Sequence, residues 1–246
     1  MTSTLFRTAL LLLLSGPATA ALSQPVDSPA VKPGDSWTYR STIERKPEGW
    51  KQVRNELVVT RVSSSSIYYA VKEAGSTQAP RELVAPLDWS RVRSIDGKET
   101  VVNKPLSFPL VEGKSWEVAY VEPHPNKVHK SEQWASTFKV VGTEAVEVPA
   151  GKFNALKIEA EGKWTAELEP RSVVVQGAAV SGGATTMVTQ AQKTAAGVTA
   201  TGRLYKAFWY APDVKRWVKE VEEIYDAGGV RTERTTDELE AFKVAN

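Results

Sequence analysis

The stretch from Lys139 to Trp164 reads KVVGTEAVEVPAGKFNALKIEAEGKW. At its centre, Val148-Pro149-Ala150-Gly151 places proline second and glycine fourth, the positions that each favours in a type I turn. Beyond the turn the side chains alternate, with one set formed by Leu156, Ile158, Ala160, Gly162 and Trp164 and the other by Lys157, Glu159, Glu161 and Lys163. A period of two is typical of a strand with one buried face and one solvated face. The stretch therefore predicts a β-hairpin.

The same alternation recurs along the chain, for example at Trp37, Tyr39 and Ile43. Strand-like runs rich in Val, Ile and Tyr are separated by turn dipeptides such as Asp96-Gly97. No amphipathic helix of ordinary length is evident. We predict an all-β fold: an antiparallel, strongly curved sheet, either a half-barrel or barrel-like, with little helix.

A short pattern occurs twice. Val31-Lys32-Pro33-Gly34-Asp35-Ser36-Trp37 is echoed by Val111-Glu112-Gly113-Lys114-Ser115-Trp116, and each leads into alternating residues. Repeat families have much longer periods than this match of about seven positions. We interpret it as a glycine turn that starts a strand in both places. The alternative, that one half of the chain is a duplicate of the other, is less favoured.

The N-terminus has the pattern of an export signal. Arg7 precedes the apolar run from Ala9 to Leu14, and Ala18-Thr19-Ala20 offers the small residues of a cleavage site. The run is much shorter than the roughly 20 residues that span a bilayer, so cleavage is favoured over anchoring. We predict a signal peptide at 1–20, a flexible lead-in at 21–30 and a single β domain at 31–246. The polar, small-residue stretch at about 177–202 is predicted to be a mobile or weak-hairpin insertion.

Composition excludes several classes of protein. The formal net charge is +2, from 31 cations and 29 anions that are interspersed along the chain, so no basic face for nucleic acid is expected. There is no cysteine, which excludes disulfides and thiol catalysis. The sequence predicts a periplasmic or secreted protein with no membrane span after signal cleavage.

No catalytic or metal-binding motif is convincing. His124 and His129 are too few for a zinc site without further ligands at a recognisable spacing. Ser136 and Lys139 match the Ser-x-x-Lys pattern of penicillin-recognising enzymes, but that chemistry needs a helix, and the run is predicted to be a strand. We predict no catalytic residues, no metal and no cofactor.

Aromatic residues are the candidate ligand-binding positions: Trp37, Trp116, Trp134, Trp164, Phe208 and Trp217. They recur on what are predicted to be the inner faces of successive strands. Two interpretations stay open. The rings fill a large core, or they line a concave apolar cavity for a lipid-like or aromatic ligand.

Two motifs resemble a known family. Val148-Pro149-Ala150-Gly151-Lys152-Phe153, together with Trp209-Tyr210-Ala211-Pro212 and the later Val218-Lys219, is similar to an exported bacterial β-rich family of unknown function with VPAGxF and WYAP…VK motifs. The resemblance spans roughly 106–244. It implies a strongly curved antiparallel sheet akin to the half-barrels of periplasmic lipoprotein carriers. The chain departs from the family in its 177–202 insertion and at Lys215-Arg216, and no catalytic residues come with the resemblance.

We therefore expect a periplasmic or secreted protein that is non-catalytic and either binds a ligand or associates with the envelope. Its candidate partners are a lipid-like or apolar small molecule held in the concave sheet, and an envelope protein; nucleic acid is not expected. Two alternatives remain open: an envelope-directed hydrolase using carboxylates, and a structural partner that pairs through a sheet edge.

Overall fold

The structure is a computed structural model that describes residues 24–169, 172–181, 184–193 and 197–245. The predicted signal peptide at 1–20 lies outside these residues. Within them there is no helix long and apolar enough to cross a membrane.

The described chain is built from fourteen strands and one short 3₁₀ helix at Pro212–Val214. The strands are β1 (Ser36–Arg45), β2 (Gly49–Val62), β3 (Ser66–Glu73), β4 (Arg81–Pro86), β5 (Arg91–Ile95), β6 (Lys98–Asn103), β7 (Ser115–Pro123), β8 (His129–Val148), β9 (Gly151–Leu168), β10 (Ser172–Ser181), β11 (Ala184–Lys193), β12 (Thr199–Ala211), β13 (Arg216–Tyr225) and β14 (Arg231–Lys243). The described residues contain no α-helix. The all-β prediction is confirmed.

Ten strands form one antiparallel sheet in the order β4-β3-β2-β1-β14-β13-β12-β9-β8-β7. Most neighbours are consecutive in sequence, but β1 pairs with β14, from Ser36 opposite Lys243 to Arg45 opposite Glu233. The two ends of the sheet, β4 and β7, do not pair with each other, so the sheet is open and not a closed barrel.

The hairpin that the sequence predicts at Val148–Gly151 joins the two longest strands, β8 and β9. Val148 lies opposite Gly151, whose φ of +133° falls in a region that favours glycine. Farther along, Trp134 lies opposite Trp164. The predicted hairpin at Asp96-Gly97 is also present and joins β5 to β6, with positive φ at both residues.

The two faces of the large sheet differ in chemistry. The inner face carries the core, in which Trp37, Phe138, Ile158 and Phe208 are fully buried. The outer face carries cross-strand ion pairs such as Arg40 with Glu238. Exposed pairs of this kind contribute about 0–1 kcal/mol each, so packing on the inner face dominates stability.

The segment between β4 and β7, residues 87–114, lies outside the large sheet and packs against one end of its inner face. Trp89, Leu106 and Leu110 in this segment are buried in the same core as the strands. Val26 and Leu110 exchange both backbone hydrogen bonds, at 2.9 and 2.8 Å. Val26 lies within 21–30, where the sequence predicts a flexible lead-in.

The repeated glycine turns make the same hydrogen bonds. Gly34 N donates to Val59 O while Val59 N donates to Asp35 O, both at 2.8 Å. In the second copy, Gly113 N donates to Val140 O and Val140 N donates to the Lys114 carbonyl, both at 2.9 Å. Each turn therefore ties the start of a strand to the strand that follows it.

Between β9 and β12 the chain forms a separate two-stranded sheet, β10 with β11, in a register that runs from Ser172 opposite Lys193 to Ser181 opposite Ala184. This sheet lies largely within the predicted insertion at 177–202.

Candidate ligand-binding site

The six aromatic residues predicted to bind a ligand do not form one group. Phe208 and Trp217 lie with their ring centroids 5.6 Å apart, and Phe208 also contacts Phe138, on which Trp116 stacks at 5.6 Å. Trp37 is fully buried and meets Trp89 edge-on at 5.5 Å. These four predicted residues lie in or against the packed core.

The remaining two lie apart from that core. Trp134 and Trp164 are partly buried neighbours whose ring centroids are 6.1 Å apart, and Tyr120 stacks on Trp134 at 6.4 Å. Trp164 Nε1 donates to the Tyr225 carbonyl. A ligand-binding role for the six residues stays a prediction.

A charged cluster lies on the inner face, where the sequence predicts aromatic side chains. The register places Ser41 opposite Asp237, Asp237 opposite Glu220, and Glu220 opposite Phe208. In the neighbouring row of the same face, Glu222 lies opposite Lys206. The carboxylates thus share a face with the core residue Phe208.

Arg216 is the central cation of this cluster. It is 7% exposed, and its guanidinium carbon lies 4.1 Å from the ring centroids of both Trp89 and Trp217, with Trp37 and Tyr39 at 5.8 Å. Its Nε and Nη1 are buried and have no hydrogen-bond partner. Aromatic faces attract the guanidinium without offering an acceptor oxygen to these two nitrogens.

Local backbone irregularities place Arg216 there. Lys215, which ends the 3₁₀ helix, has a left-handed φ of 61°. The register between β12 and β13 then shifts between Trp209 and Tyr210. Simple alternation along β13 therefore does not hold across this shift.

A cavity of about 210 Å³ lies between the cluster and strands β1 to β4. One part of its wall is apolar or aromatic, formed by Tyr39, Leu57, Tyr69, Val71, Leu83 and Trp217. The other part is polar, formed by Ser41, Asn55, Arg81, Arg216, Glu220 and Asp237. The lining suits an amphipathic ligand, because specificity in such pockets comes from a few polar groups on an apolar wall.

The acids of this cavity are perturbed by their surroundings. Burial raises the pKa of Glu220 from 4.5 to about 8, the nearby Asp237 and Glu222 carboxyls add to the rise, and Lys206 and Arg216 oppose it. The pKa of Asp237 is also raised by burial, against the hydrogen bond from Ser41 and the charge of Arg216. Two acids facing each other cannot easily both ionise, so one of the pair stays protonated near neutral pH.

Some polar groups at this site have protein partners and others have none. Asp237 Oδ1 is buried without a partner, like the two Arg216 nitrogens. Lys206, 6% exposed, pairs with Glu222 at 3.2 Å. Tyr39 donates its hydroxyl to the Trp217 carbonyl at 2.5 Å, and burial raises its pKa despite the opposing charge of Arg216. The site therefore offers unused donors and an unused acceptor together.

Sequence reasoning missed this cluster. From sequence alone, the mixed charges along 215–225 are typical of a solvated face with cross-strand ion pairs, and this prediction is wrong for Arg216, because that residue is buried. It is also wrong for Glu220, which lines the inner cavity. No local signal reveals this, since Glu220 and Glu222 alternate with Val221 as they would in a strand whose glutamates face solvent.

The histidines do not converge on a shared centre. His129 Nδ1 lies 2.6 Å from Glu132 Oε1, while His124 Nε2 lies 3.7 Å from Glu169 Oε1. Across the described residues there is no group of three or more His, Cys, Asp or Glu arranged for a metal ion. Ser136 and Lys139 lie in strand β8, which does not suit Ser-x-x-Lys chemistry.

A larger cavity of about 720 Å³ lies over the outer-face rows of β7 to β13. One row runs Glu117, Thr137, Glu161, Tyr205 and Glu223, and the next runs Ala119, Ala135, Lys163, Arg203 and Tyr225. Within the part of the chain that the structure describes, none of its lining residues carries a buried polar atom without a partner. The inner cavity is therefore the better candidate.

No protein-family model and no curated protein matches this chain. A "putative lipoprotein" from Parabacteroides distasonis is similar in structure, with 15% identity and a TM-score of 0.46 over 90% of this chain and 100% of that one. A "putative exported protein with YmcC-like fold" from Bacteroides fragilis has 16% identity and a TM-score of 0.42 over 89% and 100%. The "hypothetical lipoprotein YmcC" from Escherichia coli has 13% identity and a TM-score of 0.36 over 86% and 85%. At these identities the likeness concerns the fold alone.

Proposed function

We propose that this chain is an exported, non-catalytic binding protein of the bacterial envelope that holds a small ligand in the inner cavity of its curved sheet. The signal peptide predicted at 1–20 supports export to the periplasm or beyond. The ligand has an apolar part, which is one of the two interpretations that the sequence leaves open for the aromatic residues, and also a polar group.

The observation that carries this proposal is Arg216, whose Nε and Nη1 are buried without a partner in the wall of the cavity. An unpaired buried donor costs about 1–3 kcal/mol, and more when it is charged. A ligand that brings acceptor oxygens would remove this cost on binding. A cation held only for stability would more commonly be paired within the protein.

The apolar part of the ligand has a matching wall. Leu57, Val71 and Leu83 line the cavity opposite the polar residues, with the Tyr69 and Trp217 rings beside them. The volume of about 210 Å³ is below the usual 300–1,000 Å³ of ligand pockets. The cavity thus suits a small molecule, or one end of a longer one.

The test is native mass spectrometry of the mature protein purified from the periplasm. A bound mass of small-molecule size should accompany the wild type and be lost when the protein unfolds. The variant Arg216→Lys keeps the charge but not the planar guanidinium, so it should lose most of this mass. Arg40→Lys, on the outer face, is the matched control and should retain it. A wild type that carries no mass and binds no compound in a fluorescence screen would overturn the proposal.

A second candidate, the carboxylate-dependent hydrolase, is favoured by one observation. Glu220 and Asp237 face each other across β13 and β14 and line the same cavity. Two carboxyls in different protonation states can serve as acid and base. If this is the function, Asp237→Asn should abolish turnover of an envelope glycan or ester without weakening its binding. If the wild type turns over none of these substrates, the binding function is preferred.

A further inference from the structure

We propose that the inner cavity binds a zwitterion, namely an apolar α-amino acid or a close chemical relative, with its carboxylate on Arg216, its ammonium between Asp237 and Glu220, and its side chain against Leu57 and Val71. This inference rests on the proposed binding function and names its ligand class.

The carboxylate position follows from Arg216. Its ring contacts with Trp89 and Trp217, both at 4.1 Å, hold the guanidinium in place. Two of its nitrogens have no protein partner. A guanidinium that is held in place and has two nitrogens without acceptors suits a planar carboxylate, since charge-assisted hydrogen bonds of this type are roughly twice as strong as neutral ones.

The ammonium position follows from the acids. Asp237 Oδ1 is buried and unpartnered, and Glu220 lies directly opposite it in the sheet. Ser41 and Asn55, also in the wall, can each accept or donate. An ammonium offers three donors and a positive charge, which matches an acidic pair.

Charge balance excludes the simpler ligands. A bare carboxylate at Arg216 would also face the ionised member of the Asp237–Glu220 pair, which repels it. A bare ammonium at the acids would face Arg216. The other charged pair of this face, Lys206 with Glu222, is already matched at 3.2 Å. A molecule that carries both charges therefore satisfies all three groups at once.

Binding should also move a proton. Burial and the neighbouring acids hold Glu220 protonated near neutral pH, with Lys206 and Arg216 as the opposing cations. An ammonium placed beside Glu220 favours its ionised form. Ligand binding at pH 7 should therefore release up to one proton.

The experiment is isothermal titration calorimetry of the full mature chain with a panel of ligands. Leucine and phenylalanine carry both charges, N-acetyl-leucine lacks the ammonium, leucinamide lacks the carboxylate, and octanoate has only an apolar tail and a carboxylate. We expect leucine or phenylalanine to bind, and each singly charged compound to bind at least tenfold more weakly. Repeating the titration in buffers of different ionisation enthalpy should reveal the released proton.

The variant Asp237→Asn tests the assignment of the two charges. It should weaken leucine binding while leaving N-acetyl-leucine binding unchanged or stronger, because it removes the charge that repels a bare carboxylate, so that the preference between the two shrinks at least fivefold. Thr137→Ser, on the outer face, is the control and should leave the preference intact. The ligand panel is measured on the wild type, so it tests the proposal even if the Asp237→Asn variant does not fold.

The outcomes separate this inference from the proposed function. If octanoate or N-acetyl-leucine binds as well as leucine, the cavity binds ligands but the zwitterion is wrong. If none of the panel binds while a different mass co-purifies with the protein, the zwitterion is again wrong and the binding function stands. If nothing binds and nothing co-purifies, both fail.

Discussion

Lys215 Nζ lies 3.1 Å from Asp35 Oδ2, and this ion pair joins four separate parts of the chain. The same Nζ donates to the carbonyls of Ala30 and Ala245 at 2.9 and 2.5 Å. The Asp35 carboxylate, fully buried, also accepts from the backbone N–H groups of Lys32 and Ala245 at 2.9 and 2.7 Å. The N-terminal segment, the start of β1, the end of the 3₁₀ helix and the C-terminal residues are therefore fastened at one point.

Asp35→Ala should lower the free energy of unfolding by about 3–5 kcal/mol, because removing one partner of a buried ion pair leaves the other charge uncompensated. Chemical denaturation followed by tryptophan fluorescence measures the change. Lys152→Ala is the control. Its pair with Glu147 has side chains 78% and 73% exposed, so it should change stability by less than about 0.5 kcal/mol. Equal effects of the two substitutions would contradict this account.

Trp37→Ala should destabilise the fold by about 3–5 kcal/mol, the usual cost of truncating a large buried aromatic residue. Trp37 is fully buried and its Nε1 donates to the Val214 carbonyl at 2.8 Å, so both packing and a hydrogen bond are lost. Trp50→Ala removes a side chain that is 71% exposed and should shift stability within about 0.5 kcal/mol. The melting temperatures of both variants measure the difference. If Trp50→Ala destabilises the protein as much as Trp37→Ala does, the prediction is wrong.

Gly162→Ala should unfold the protein or cost several kcal/mol. A Cβ at this position would overlap the Ala135 carbonyl oxygen and come within 2.9 Å of Ser136 Cα, and both are backbone atoms of the paired strand. Gly228→Ala is the matched control, because its nearest neighbour is a flexible carboxylate oxygen of Asp226 at 3.3 Å. Expression level and melting temperature compare the two. A folded Gly162→Ala protein with an unchanged melting temperature would contradict the close approach of Gly162 to the backbone of β8.

Stability should fall as pH rises from about 4.5 through 8, because of Glu220. Its pKa is raised on folding, so the native state binds the proton more tightly than the unfolded state across this window. Glu220→Gln removes the titration and should raise stability at pH 9 relative to the wild type by about 1–3 kcal/mol, with little gain at pH 4.

Denaturation curves between pH 4 and 9 provide the measurement. Glu147→Gln, on a side chain 73% exposed, should keep the wild-type slope. A wild-type slope that persists in Glu220→Gln would assign the pH dependence to another group.

The local sequence pattern predicts the strands and the hairpins, but it does not predict which strands distant in sequence pair with each other. The Val148–Gly151 turn and the alternation through Ile158 and Trp164 suffice to predict the β8–β9 hairpin, because its contacts lie close in sequence. Nothing local indicates that Ser36 lies opposite Lys243. That pairing depends on which edges remain unpaired after the hairpins form.

The candidate site was hidden for a related reason. Period-two reasoning assumes an unbroken register, and the shift between Trp209 and Tyr210 alters the pairing of β12 with β13 just where Arg216 enters the core. Mixed charges such as Lys219 and Glu220 look like a solvated ladder, although Lys219 pairs with Glu238 on the outer face and Glu220 faces the cavity. Only the register of the folded sheet shows that Lys219 lies on the outer face and Glu220 on the inner one.

The pairing of β1 with β14 also has a consequence for biogenesis. Strand β1 lies between β2 and β14 in the sheet. It can therefore pair on both sides only after β14, the last strand in the sequence, has been synthesised and, if the chain is exported, has crossed the membrane. Contacts of such long sequence separation slow folding. The polypeptide should therefore stay susceptible to proteases until its final residues emerge, and a truncation before Arg231 should leave a chain that is degraded and does not accumulate as a partly folded domain.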